Sequence, residues 1–146
     1  MKVKNLEFVE PCIHPSSADK LWAKVWPSSL VLIDLVIQDA TEWAPEPKLV
    51  LELGCGMGIS SIFAALHFPR AKVIGIDMNV EGIRAADRNR RCNYPDLDLQ
   101  FSLFNWNSDP STLWVRNVDL IIASDVLYMS VSHLSSQLLE KLFAHC

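Results

Sequence analysis

Three short stretches carry residue types that could do chemistry together. The first is Glu52-Leu53-Gly54-Cys55-Gly56-Met57-Gly58, an acid followed by glycines at alternate positions. Glycines allow tight backbone angles and let a ligand approach main-chain N–H groups. The acid ahead of them, Glu52, can hold a cationic amine directly or through water. The second is Asp77, whose carboxylate can accept bonds from a pair of vicinal hydroxyls. The third is Ser124-Asp125-Val126-Leu127-Tyr128, which sets an acid and a phenol three residues apart. Such a pair can orient a nucleophile and relay its proton.

The glycine spacing narrows the ligand. A dinucleotide fingerprint, G-x-G-x-x-G, needs its third glycine at position 59, where Ile59 stands. The pattern here is G-x-G-x-G. S-adenosylmethionine (SAM) has no pyrophosphate to seat, but it has an α-amino group, a sulfonium and a ribose diol. Glu52 suits the amine, and Asp77 suits the diol. Trp106 follows an apolar stretch at the same end, where a flat ring suits adenine.

The elements that must position these residues follow from periodicity. Residues 48–53 read as a buried strand stopped by glycines, 59–67 as a helix, and 72–76 as a second strand ending at Asp77. Asn79 can cap a helix over 80–92, with Val80, Ile83 and Ala86 inward. A third strand is expected over 97–106 and a fourth over 119–123. A last helix over 132–144 carries Leu134, Leu138, Leu139 and Leu142 on one face. Strand–helix alternation with apolar strands predicts a doubly wound, parallel α/β sheet of the Rossmann-like kind. Residues 1–46 read as a helical extension packed on that core, and residues 47–146 as the core itself. Pro27 disfavours helical geometry at Trp26. The extension's main helix is therefore expected over 30–43, capped by Ser28 or Ser29, with Leu32, Leu35, Val36 and Trp43 inward. Another helix start lies near Ser16.

Bulk properties exclude several classes. A net charge of −4 over 146 residues argues against a non-specific nucleic-acid grip, which needs clustered cations. Arg84, Arg88, Arg90 and Arg91 read as a solvated helix face. No window approaches the roughly 20 apolar residues of a membrane span, and residues 1–10 do not resemble a secretory leader. Cys12, Cys55, Cys92 and Cys146 form no CxxC pair, so neither zinc nor disulfides are expected. Reduced thiols suit the cytosol or nucleus.

Taken together, the sequence resembles the class I, seven-strand SAM-dependent methyltransferases, and within them the protein-lysine methyltransferase group. Four elements carry the resemblance, in the family's order over residues 22–144: Val25-Trp26-Pro27-Ser28, the glycine loop, Asn105-Trp106, and Ala123-Ser124-Asp125-Val126-Leu127-Tyr128. Asn89 and Asn93 also fall where this group often has asparagine. The resemblance implies that Trp26 packs near the methionine end of SAM and that Gly54, Cys55 and Gly56 line the cofactor. It implies Asp77 on the ribose, Trp106 beside adenine, Ser124 under the cofactor, and Asp125 and Tyr128 facing the methyl-transfer site. The implied partner is a protein offering a lysine side chain, with no membrane and no nucleic acid.

The family orders its strands 3-2-1-4-5-7-6, and this chain supplies four of them. The chain is therefore expected to be C-terminally truncated. Its apolar fourth strand would be an exposed edge, open to a partner or to self-association. Competing readings are a catalytically inactive SAM-binding or interaction module, and a small-molecule N-methyltransferase. The latter's motif has two prolines where Val126 and Leu127 stand. A nicotinamide-dependent oxidoreductase is disfavoured by Ile59.

Overall fold

A computed structural model of the protein describes residues 21–38, 42, 46–105, 108 and 115–126. A turn of 3-10 helix, Leu21–Ala23, leads to helix α1, Pro27–Gln38. Then follow β1 (Leu49–Leu53), α2 (Ile59–His67), β2 (Lys72–Asp77), α3 (Val80–Asn93), β3 (Leu99–Leu103) and β4 (Leu120–Ala123). All strands are parallel, in the order β3-β2-β1-β4. The expected Rossmann-like sheet is thus present. The expected helix over 132–144, the start near Ser16, Trp106 and Tyr128 lie outside the described residues.

Register decides which side chains share a face. Val50, Val73, Leu99 and Ile122 lie on one face and pack with Ile62, Ala64 and Ala65 of α2, Phe68 just after it and Val36 of α1. Leu51, Leu53, Ile74 and Ile76 lie on the other face, buried with Phe104 and Val115. The right-handed crossover rule puts α2 and α3 on one side of a sheet running β1-β2-β3. Both described sheet faces are covered, so the strands read as apolar runs rather than as alternations.

Several elements depart from expectation. The first strand-flanking helix begins at Pro27, not at residue 30. Proline is favoured at the first helical position because its missing N–H is one that the helix cannot satisfy anyway. Ser29 N donates to Trp26 O at 3.0 Å, so Ser28 and Ser29 lie inside the first turn rather than capping it. Ile33 and Val36 face inward, whereas Leu35, expected inward, is exposed beside Leu30 and Val31. In α3, Val80 is exposed, and the inward face is Gly82, Ala86 and Asn89. That face is small because α3 lies against the glycine loop: a Cβ at Gly82 would come within 3.3 Å of Gly56 O. The expected cap holds, with Asn79 Oδ1 accepting from Glu81 N and Gly82 N.

The third strand is shorter than residues 97–106. The fourth begins after Asp119, which does other work. Asp119 Oδ2 accepts from both Lys48 N and Leu49 N at 2.9 Å. One carboxylate thereby satisfies the start of β1 from the neighbouring strand.

Candidate functional site

The carboxyl ends of β1, β2 and β4 meet at one end of the sheet, where a doubly wound fold leaves its ligand crevice. The turn after β1 makes that end. Gly54, Gly56 and Gly58 all have positive φ. At Gly58 a side chain is excluded twice, by φ +78° and by Ala86 Cβ, 2.8 Å from where a Cβ would sit. Glycine there brings the start of α2 against α3.

The loop is tied from three directions. Gly54 N and Cys55 N donate to Ile76 O at 2.8 and 3.0 Å, and Gly58 N donates to Cys55 O at 2.7 Å. Asp77 Oδ2 accepts from Gly56 N at 2.9 Å, while Asp77 Oδ1 accepts from Asn79 N at 2.8 Å. Asn89 Nδ2, buried in α3, donates to Met57 O at 3.1 Å. Asp77 is thus brought against the loop as the spacing required. Each of its oxygens accepts one bond in the described structure and has a second lone pair for a ligand hydroxyl.

Glu52 sits beneath the loop, 2% exposed. It accepts a hydrogen bond from Ser61 Oγ in α2. Burial pushes its carboxyl up to about 7; hydrogen bonds from the Ser61 and Ser60 hydroxyls and the Ser61 backbone oppose this, and the Asp77 charge adds to it. Cys55 is buried as well, and its thiol is pushed well above the ordinary range by burial first, then by Glu52 and Asp77. It offers the crevice backbone, not a nucleophile.

The β4 end is built differently. Ser124 Oγ and Ser29 Oγ lie 3.1 Å apart, joining β4 to the first turn of α1. This contact brings the Trp26-Pro27-Ser28 segment to the same end of the sheet. Val126 leans on the loop: a Cβ at Gly54 would meet Val126 Cγ1 at 2.7 Å. Asp125 is exposed and takes φ +54°. Left-handed backbone at a non-glycine residue costs roughly 1 kcal/mol or more, and it turns the chain sharply out of the strand. Trp26 is half-buried, and Trp22 packs with Ile33, Met57 and Ile59 below the loop.

Of the residues expected at the site, Trp26, Glu52, Gly54, Cys55, Gly56, Asp77, Ser124 and Asp125 therefore gather at one sheet end, with Glu52 under the loop rather than in the open. Ser29, Ser61 and Asn79 join them without having been singled out for the site. Asn79's only signal was its place two residues after Asp77. Ser61 had the i, i+9 spacing from Glu52 across the turn, and Ser29 had none.

The sequence profile of a family described as "Methyltransferase domain" matches residues 46–144, more than half of the chain. The chain is 33% identical over 91 residues to the ribosomal protein L11 methyltransferase of Prochlorococcus marinus, covering 62% of this chain and 30% of that protein. It is 37% identical over 99 residues to the trans-aconitate 2-methyltransferase of Methylobacterium radiotolerans, covering 66% of this chain and 33% of that protein. It spans about a third of the length of these relatives. Among solved structures, the plantazolicin methyltransferase BpumL in complex with SAH is similar in fold. Its TM-score is 0.57 at 19% identity, over 77% of this chain and 42% of that one.

Proposed function

This chain belongs to the methyltransferase domain family, and we propose that it binds SAM and transfers the methyl group to a lysine side chain of a protein. The observation that carries the cofactor reading is the Asp77–Gly56 bond of 2.9 Å. It sets an acid with spare lone pairs against a left-handed glycine loop at the crevice end of a parallel sheet. The α2 N-terminus adds a second argument. A dinucleotide fold gives that N-terminus to a pyrophosphate. Here the buried Glu52 carboxyl already takes the Ser61 hydroxyl and backbone N–H. A cationic amine above the loop suits that carboxyl, and a second anion does not.

When bound, SAM supplies an electrophilic methyl carbon on a sulfonium. Asp77 would accept from the ribose diol, and the loop backbone would lie against the methionine portion. The lysine ammonium must lose its proton first, from an ordinary pKa of about 10.4, and a crevice of low dielectric lowers that value. Asp125, exposed at the turn after β4, orients the amine and passes its proton to water. Asp125 would thereby present a neutral Nζ to the methyl carbon that bound SAM would supply. Positioning is the main contribution of the protein to such an in-line transfer.

The lysine assignment rests on the Trp26-Pro27-Ser28 segment and Asp125-x-x-Tyr128, the first of which Ser29–Ser124 ties to the β4 exit. The relatives act, by name, on a ribosomal protein and on trans-aconitate. The test is calorimetric titration with SAH and SAM against NAD, followed by methyl-labelled SAM with cell-extract protein, tRNA and small carboxylic acids as separate acceptors. Binding of SAH but not NAD, with label on a protein lysine, is the expected result. NAD binding sinks the cofactor reading. Label on tRNA or on a carboxylic acid sinks the lysine assignment.

A further inference from the structure

Beneath the glycine loop, β1 and α2 share a contact that the cofactor reading does not itself require. Ser61 is fully buried, and its hydroxyl donates to the Glu52 carboxyl. Directly across from Glu52 on the neighbouring strand stands Gly75. Paired residues of parallel strands present their side chains to the same face. A Cβ at Gly75 would come within 2.7 Å of Ser61 Oγ and 2.8 Å of Phe101 Cδ1. That approach is too close for an oxygen held in a buried bond to yield. β2 therefore omits its side chain at the position where a hydroxyl from α2 has to reach a carboxyl of β1.

We propose that Ser61 is a positioning residue for cofactor binding: its hydroxyl fixes the Glu52 carboxyl beneath the loop and favours its ionised form, and Gly75 provides the space for that contact. The inference rests on the SAM reading above. Two other titratable groups face Glu52 among the described residues, Asp77 at the end of β2 and Cys55 in the loop. The Asp77 charge opposes ionisation of Glu52, and the buried Cys55 thiol stays neutral. Against that opposition the Ser61 bond is the largest contribution to the charged form. With the carboxyl at about 7, both forms are populated near neutrality. An ammonium binds the charged one, so cofactor affinity should rise with pH through a midpoint of about 7 and level off above about 8. Removing a donor to the charged form moves that midpoint upward.

The test is SAH affinity of the 146-residue chain from about pH 6 to 8, for wild type, Ser61→Ala, Ser61→Cys and Gly75→Ala. A midpoint raised by about one pH unit makes Ser61→Ala about fivefold weaker than wild type at pH 7 and about twofold weaker at pH 8. Gly75→Ala, by displacing the hydroxyl, should move the midpoint the same way. Ser61→Cys keeps the shape with a weak donor, and its midpoint should fall between the two. It carries the test if Ser61→Ala does not fold. Weakening by the same factor at every pH, or an unmoved midpoint, overturns the positioning role and leaves the SAM reading standing. Wild type that fails to bind SAH anywhere in the range overturns the SAM reading, and this inference with it.

Discussion

The β1–β2 half of the crevice and the β4 half are held by different means. At the first, main-chain groups of the glycine loop are bonded to Ile76, Asp77 and Asn89, and Glu52 and Ser61 fill the space beneath. At the second, Ser29–Ser124 and the lean of Val126 on Gly54 hold an exposed turn. A cofactor common to many reactions can be met by a rigid, buried frame. An acceptor that differs from enzyme to enzyme is met by surface residues that few contacts constrain. Damage to the backbone frame of the first half should therefore cost folding and cofactor binding together. Damage to the second should cost turnover with little change in stability.

The largest effect is expected from Gly58→Val. The side chain meets Ala86 at an impossible distance and a φ of +78°, so a loss of about 4 kcal/mol or outright unfolding is expected. A normal melting temperature with intact SAH affinity would break the claim that the loop is a rigid frame. Next comes Glu52→Gln, and its sign depends on pH. A carboxyl raised from 4.5 to about 7 keeps its proton longer in the folded chain than in the unfolded one. Wild-type stability then falls as pH rises from about 4.5 to 7 and stays level above. The total is at most roughly 3 kcal/mol. An amide in place of this carboxyl cannot ionise, so the variant's melting temperature should lose this slope and exceed that of wild type at about pH 8.

Asp77→Ala removes the acceptor of both Gly56 N and Asn79 N. It should cost about 2 kcal/mol in stability and weaken SAH binding at least about tenfold. Asp125→Asn is the sharpest contrast. Asparagine tolerates left-handed backbone as well as aspartate does, so stability should change by less than about 0.5 kcal/mol. Methyl transfer should fall about 100-fold with SAH affinity unchanged. Equal losses in stability for Asp77→Ala and Asp125→Asn would erase the distinction between the two halves.

The same division marks what the sequence made legible. The glycine loop, the end of β2 at Asp77, the bounds of α2 and the Asn79 cap depend on residues close together in the chain, and local pattern captures them. The inward face of α3 was misread at Val80 because a small face is needed only where another backbone approaches. Ser29–Ser124, the gap at Gly75 opposite Glu52 and the Asp119 clamp on β1 are agreements between distant segments. A serine or an aspartate in such a place looks like any other turn residue until the sheet order is known. The expected strand over 119–123 is present from Leu120, and what pattern could not show is that Asp119, at its start, gives its carboxylate to β1.

That clamp also sets an order of assembly. Residues 49–77 contain all of β1-α2-β2 and can close their loop with contacts made over short stretches of chain. The N–H groups at Lys48 and Leu49 find their acceptor about 70 positions later in the chain. Ser29 waits 95 positions for Ser124. On a ribosome the loop can therefore take shape well before the strand that anchors both β1 and the first turn of α1 has emerged. Docking of β4 becomes the late, slow event with the greatest loop-closure cost. Substitutions at Asp119 should therefore slow folding, because the contact they remove is made in that slow step.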